Sequence, residues 1–141
     1  VSDFHWFKHD RFTFHRCDMD RRENIAAAAQ DMPQFDIIID DASHASHNQQ
    51  CGFLELFPKL ASGGMYVIED LRWQPDVMER PGITKTAALF ASYLDTGVFE
   101  HTDPEIAAAF NEQRIDMSGC FLHQVKFQKK RRDQVVVIHK R

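Results

Sequence analysis

Short apolar runs alternate along this chain with polar breaks that carry Gly or Pro, and their spacing sketches the elements. Residues 35–40 (Phe-Asp-Ile-Ile-Ile-Asp) and 65–69 (Met-Tyr-Val-Ile-Glu) are dense in β-branched and aromatic side chains and too short for helices. Both read as strands, the first apolar enough to be buried on both faces. Residues 11–16 alternate from Arg11 to Arg16 and predict a further strand, ending at Cys17-Asp18-Met19-Asp20. Residues 21–31, with Glu23 near the start and the run Ala26 to Ala29, predict a helix. Residues 46–60 predict another, with Phe53, Leu54, Leu56, Phe57 and Leu60 on its inner side and Ser62-Gly63-Gly64 as the turn that follows. The resulting β-α-β-α-β order calls for a parallel sheet with right-handed crossovers.

Beyond Asp70 the pattern changes. Residues 71–82 hold Pro75, Pro81 and Gly82 and read as a loop, while 84–95 and 104–113 read as helices. Thr102-Asp103-Pro104-Glu105 gives the second of these a capping sequence. An excursion as long as 71–119 after a strand reads as a lid or substrate-binding insertion. Residues 121–128 and 134–140 predict a closing antiparallel hairpin joined by Lys129 to Asp133. The expected fold class is therefore α/β: a Rossmann-like, mostly parallel sheet with a C-terminal antiparallel hairpin, in one domain over residues 1–141.

Composition narrows the function classes. At 141 residues, 43% of them hydrophobic and twelve of them Phe, the chain supports one domain with an ordered core. A net charge of -4 disfavours general nucleic-acid binding, so the basic run Lys129 to Arg132 reads as a solvated hairpin tip that discourages edge pairing. No stretch has the apolar length of a membrane span, and no basic-then-apolar signal pattern opens the chain. Cys17, Cys51 and Cys120 are odd in number and lack paired zinc spacing, which points to free thiols in a reducing, cytoplasmic setting. The first residue is Val1 rather than Met, which leads one to expect a missing upstream segment.

The chemistry concentrates where the two clear strands stop. The first ends in Asp40-Asp41, followed by Ala42-Ser43-His44; the second ends in Glu69-Asp70. In α/β sheets the carboxyl ends of strands are where ligands bind. Other readings stand beside a site. Asp41 or Ser43 could cap the helix that starts near residue 46. His44 could be a surface-loop histidine, and His47, one residue into the helix, competes with it. Trp73 and Tyr93 suit an acceptor pocket or plain packing. Asp18 could be only a loop acid before a helix.

The segment from Phe35 to His44, the helix after it, and the segment from Leu60 to Leu71 resemble class I S-adenosylmethionine-dependent methyltransferases. More narrowly they look like the Mg²⁺-dependent O-methyltransferases of macrolide sugar tailoring and the related cephalosporin hydroxylase-like group. The motif of that group is Asp-Asp-Gly-Ser-His after one strand and Glu-Asp after the next. The likeness covers residues 11–72 well and the remainder loosely. It implies that Asp41 and Asp70 ligate Mg²⁺ with Glu69 or Asp40 nearby, and that His44 is the general base for an acceptor hydroxyl. It also implies that Asp18 lies near the adenine of S-adenosylmethionine, so that Asp18 and Asp40 are the cofactor-side acids. The departures are specific. Ala42 replaces a Gly, Cys17 and Met19 stand where Gly and Gln are usual, and no Gly-rich cofactor loop is present among Gly52, Gly63, Gly64, Gly82, Gly97 and Gly119. The chain thus resembles the C-terminal part of such an enzyme, with Val1 to Asp10 at most a remnant of an earlier strand.

Methyl transfer from a sulfonium needs an oriented acceptor that loses a proton, and a hard cation on carboxylates assists both. The expected function is a Mg²⁺-assisted O-methyltransferase acting on a hydroxylated small molecule, a sugar or natural product, with no nucleic-acid or membrane partner. The alternative is a non-catalytic remnant: a binding or oligomerisation module of the same fold lacking the cofactor half, whose exposed sheet edges would favour a homo-oligomer. Mg²⁺-dependent phosphoryl chemistry lacks a supporting Lys, Ser or Thr partner.

Overall fold

The chain's computed structural model describes residues 9–72, 76–127 and 131–141, with backbone alone at 125–127 and 131–132. Helix α1 (Arg22–Gln30) precedes β1 (Phe35–Asp40), α2 (Ser46–Leu56) and β2 (Leu60–Ile68); α3 (Thr86–Thr96) and α4 (Pro104–Gln113) precede β3 (Met117–Phe127) and β4 (Arg131–Lys140). The sheet order is β1-β2-β4-β3, with β1 parallel to β2 and β4 antiparallel to both neighbours. Three of the four strands therefore point one way, and the reversed strand of the hairpin sits between two of them. The expected α/β class and C-terminal hairpin are both present. Among the described residues no helix is long and apolar enough to cross a membrane.

The core lies on one face of that sheet. Ile38, Tyr66, Ile138 and Cys120 align across the four strands, and the next core-facing row is Asp40, Ile68, Val136 and Leu122. The helices lay aromatic rings on these rows. Phe53 of α2 meets Phe57 at 4.8 Å, Phe110 at 5.1 Å, Tyr66 at 5.2 Å and Phe90 at 5.7 Å between ring centroids. Leu89, Phe90, Phe99 and Phe110, from the 71–119 excursion, are fully buried in this cluster. Tyr93 stacks on Phe99 at 4.5 Å, so it packs.

The opposite face is bare among the described residues. Ile39, Val67, Val137 and Phe121 form one row across the sheet, yet Ile39 is 60% and Phe121 52% exposed. The expectation that residues 35–40 are buried on both faces is thus corrected: the apolar content is right, but helices cover only one side. Residues 11–16 form no strand, and Phe12 and Phe14 lie exposed. Alternation makes a strand only where a sheet edge accepts it, and no described strand pairs there.

Three boundaries move for local reasons. The helix expected over 46–60 ends at Leu56 and tightens into a 3₁₀ turn at Phe57–Lys59, because Pro58 has no N–H to continue the ladder. The turn expected at 62–64 becomes a bulge inside β2, where pairing jumps from Phe35↔Leu60 to Ile37↔Met65. Gly63 takes φ +78° there, and a Cβ on Gly64 would lie 2.9 Å from the Ala61 carbonyl oxygen, so both positions need glycine. The expected cap on α4 forms, with Asp103 Oδ1 accepting from Glu105 N–H at 2.9 Å. Trp73, Lys129 and Lys130 lie outside the described residues.

Phe53 touches four aromatic neighbours at the centre of the core. Phe53→Ala should destabilise the chain by about 3–5 kcal/mol, read as the shift in urea midpoint at unchanged slope; a loss below about 1 kcal/mol would place the core elsewhere.

Candidate metal and catalytic site

Parallel pairing brings the ends of β1 and β2 to the same level. Asp40 pairs with Ile68, and Glu69 N–H donates to the Asp40 carbonyl at 3.0 Å, so both strands release their acids together. The chain then leaves each strand abruptly. His44 (φ 59°) and Asp70 (φ 53°) are the non-glycine residues with positive φ among those described. Such a conformation costs an L-residue roughly 1–2 kcal/mol, less for Asp and His, and such strain collects at functional sites.

The two turns converge on three side chains. His44 Nε2 lies 3.6 Å from Asp70 Oδ2 and 4.0 Å from Asp41 Oδ1. One donor atom from each residue falls within 4.8 Å of the others, the one such group of metal-binding type among the described residues. The two carboxylates suit a divalent cation, and the imidazole stands beside them. The Asp70 carboxyl is raised above its usual range, first by burial and then by the neighbouring Asp133 carboxyl, with Asp41 adding to the rise and His44 opposing it. Like-charged acids held this close favour the protonated form of one of them.

The other expected residues fall elsewhere. Glu69 is tied by its backbone, its carbonyl accepting from Gln49 Nε2 at 3.0 Å, and its carboxylate is outside the triad. Asp40 points the opposite way from Asp41, into the core, and is only 7% exposed. A Cβ on Gly52 would lie 3.2 Å from Asp40 Oδ2 and 3.5 Å from the Tyr66 hydroxyl, so glycine makes room for this buried pair. Burial pushes the Asp40 carboxyl up to about 6, opposed by the Ala42 N–H and by His44 and assisted by Asp41. Asp18 is exposed, and its Oδ1 accepts from Asp20 N–H at 3.1 Å. His47 lines a separate cleft of about 240 Å³ with Gln50, Arg80, Ile83, His101 and Ile106. Burial, then Arg80, lowers the His47 pKa.

The sequence reading missed the residues that brace the loop. Asn48, Gln49 and Gln50 of α2 are all buried. Asn48 Nδ2 donates to Ser43 Oγ at 2.9 Å and to Asp20 Oδ1 at 3.1 Å, Gln49 to the Glu69 carbonyl, and Gln50 Nε2 to the Thr84 carbonyl at 2.7 Å. A run of three amides just behind the acids, on a helix otherwise turned inward, is the signal available in the sequence. Glu79 and Asp133 left no comparable mark.

This fold, a four-stranded sheet with acids at its parallel strand ends, is shared with a solved methyltransferase. No known family profile matches the chain. It is similar to sugar O-methyltransferases of natural-product pathways. It is 54% identical, over 62% of its length and 24% of the relative's, to an 8-demethyl-8-alpha-L-rhamnosyl tetracenomycin-C 2'-O-methyltransferase of Streptomyces olivaceus. It is 40% identical, over 44% of its length and 18% of the relative's, to the 8-demethyl-8-(2-methoxy-alpha-L-rhamnosyl)-tetracenomycin-C 3'-O-methyltransferase of the same organism. In structure it matches the MycE methyltransferase of the mycinamycin biosynthetic pathway, solved in complex with Mg, SAH and mycinamycin VI. The TM-score is 0.63 at 24% identity, over 99% of this chain and 34% of that one. The chain thus spans about a quarter or less of the two sequence relatives and about a third of the solved structure.

The raised Asp40 carboxyl gives a pH signature. An acid whose folded pKa exceeds its unfolded value holds its proton better when folded, so stability is greatest below the unfolded value of 3.8 and falls as pH rises towards about 6. Relative to Asp40→Asn, the metal-free chain should lose on the order of 3 kcal/mol across that window. Urea titrations at pH 4 and pH 7 measure the difference; parallel curves for the two proteins would refute it.

Proposed function

We propose that this chain carries the cation- and acceptor-binding part of an S-adenosylmethionine-dependent, Mg²⁺-assisted O-methyltransferase acting on a sugar hydroxyl of a natural product. The observation that carries this reading is the convergence of Asp41, His44 and Asp70 at two parallel strand ends. The sequence relatives, whose names specify methylation of rhamnosyl groups, support the choice of acceptor.

In this reading Asp41 and Asp70 hold Mg²⁺, with Glu69 close enough in sequence to join as the turn adjusts. The bound cation would make an acceptor hydroxyl more acidic and fix its position. His44, whose side chain is 15% exposed beside both carboxylates, takes the hydroxyl proton at Nε2, a contribution of typically about 10²–10⁴-fold. Asp41 and Asp70 orient the imidazole and balance the charge it gains. Asp18, on the exposed loop before α1, serves the adenine side, and Asp40 supports the strand end from behind. The 71–119 excursion forms the substrate-facing wall while α3 and α4 also supply core. Three free thiols suit a reducing, cytoplasmic setting.

A second reading keeps the fold but not the reaction: a binding or self-associating module. The exposed row from Ile39 to Phe121 and the end position of β1 favour it.

Calorimetry of S-adenosylmethionine with and without Mg²⁺, followed by methyl transfer to a methyl rhamnoside, separates the two. Mg²⁺-dependent transfer that falls at least about 10²-fold in His44→Ala supports the enzyme. Absence of cofactor binding, together with a concentration-dependent dimer in sedimentation, would favour the module.

A further inference from the structure

The segment after Asp70 returns to the site through one carboxylate. Helix α2 begins at Ser46, and its N-cap residue Ala45 has no side chain that can cap the first turn. Asp41 and Ser43, the local residues suited to that role, are engaged otherwise: Asp41 with His44, and Ser43 Oγ as acceptor from Asn48 Nδ2 and, at 3.4 Å, from Ala45 N–H. The cap arrives from far along the chain. Glu79 Oε1 accepts from both the Ser46 N–H and the Ser46 hydroxyl, each at 3.0 Å.

This contact is the centre of a buried junction. Ser46 and Thr86 are both fully buried. The Thr86 N–H donates to Ser46 Oγ at 3.3 Å and the Thr86 hydroxyl to the Ser46 carbonyl at 3.4 Å, so the first residues of α2 and α3 are joined beneath the Glu79 carboxylate. The next residue, Arg80, donates to the Asp20 carbonyl at 2.9 Å, and Asp20 Oδ1 receives Asn48 of α2. A carboxylate that accepts two hydrogen bonds at a helix N-terminus is stabilised by the unpaired N–H groups and the dipole there. His44, held at positive φ, is two residues from Ser46, so whatever sets the start of α2 sets the imidazole.

We propose that Glu79 is a positioning residue: its carboxylate fixes the first turn of α2, which holds His44 in place and leaves Asp41 free of capping for the cation. The proposal rests on the reading of Asp41 and Asp70 as a cation site with His44 as the base beside it, and adds to it a link from the 76–84 segment to the base.

The test uses the 141-residue chain with Mn²⁺ as a paramagnetic stand-in for Mg²⁺. Free Mn²⁺ is followed by electron paramagnetic resonance, and the His44 ring signals, assigned by their loss in His44→Gln, are followed by NMR in metal-free protein. Glu79→Ala should weaken Mn²⁺ binding about tenfold, the low end for loss of a partner behind a metal ligand, and should shift the His44 signals. Glu79→Gln, which keeps an accepting oxygen, should restore most of both. Glu105→Ala, which removes an acid from the first turn of α4, should change neither. Unchanged Mn²⁺ affinity and His44 signals in Glu79→Ala would overturn the proposal, as would equal losses in Glu79→Gln, which would indicate charge rather than geometry. If the unaltered chain takes no Mn²⁺, the cation reading fails by itself, and the His44 signals still decide the role of Glu79. Should Glu79→Ala unfold, Glu79→Asp, one methylene too short to keep both bonds to Ser46, takes its place: weakened Mn²⁺ binding and shifted His44 signals support the proposal, and unchanged ones overturn it.

Discussion

The register of β1 on β2 is the constraint from which the rest of the site follows. The Glu69 N–H to Asp40 carbonyl bond closes the ladder at the point where both strands stop. A one-residue slip would exchange the faces of every side chain on β1. Asp40 would then face solvent and Asp41 the core, and the triad could not form. That register is itself specified by packing, since Ile38 and Asp40 share a face with Tyr66 and Ile68 beneath α2. The bulge at Gly63 and Gly64 takes up the surplus residues of β2 before the paired stretch begins, so the irregularity lies at the end of the strand away from the acids.

Two left-handed residues so close together need compensation. Together His44 and Asp70 cost roughly 1–3 kcal/mol. The bonds from Asn48 to Ser43 and from Gln49 to the Glu69 carbonyl contribute about 1 kcal/mol each, and the two bonds to the Glu79 carboxylate somewhat more. These bonds together outweigh the backbone cost, so the two turns are over-determined by their braces. The burial of Asn48, Gln49 and Gln50 follows from this: the first half of α2 is given over to holding the two turns, and its apolar packing begins only at Cys51 and Phe53.

How legible this was in the sequence depended on range. The strands at 35–40 and 65–69, the hairpin, the α4 cap and the acids at the strand ends could be read from local composition. The convergence of Asp41, His44 and Asp70 was also within reach, because parallel neighbours that end in acids leave those acids adjacent. What failed was whatever depended on a distant partner. The alternation from Arg11 to Arg16 is a genuine strand pattern, but a strand exists only against a sheet edge that pairs with it, and the sequence does not show which edges pair. Asp40 and Asp41 look equivalent in the chain, yet the two-residue period of the strand sends one into the core and one to the site. Glu79 capping α2 from 33 residues away leaves no local trace.

The one-sided core bears on how far the chemistry extends. The covered face is dense with rings, and the acids stand at the rim of that face, where α2 and the segment after Asp70 hold them. The other face presents Ile37, Ile39 and Phe121, more than half exposed, in rows that cross all four strands. A sheet surface of this kind is usually buried against a second layer, and in the matching solved structure the part of the chain outside the 34% matched is available to provide one. The site and the bare face make different demands. The triad is assembled by contacts wholly within the described residues, so the proposed cation binding can be tested on this chain alone. Binding of a ligand as large as S-adenosylmethionine calls on more surface than the triad offers, and the absent Gly-rich loop is where that surface would be sought. Cation binding without cofactor binding is therefore a coherent outcome for a half-covered sheet.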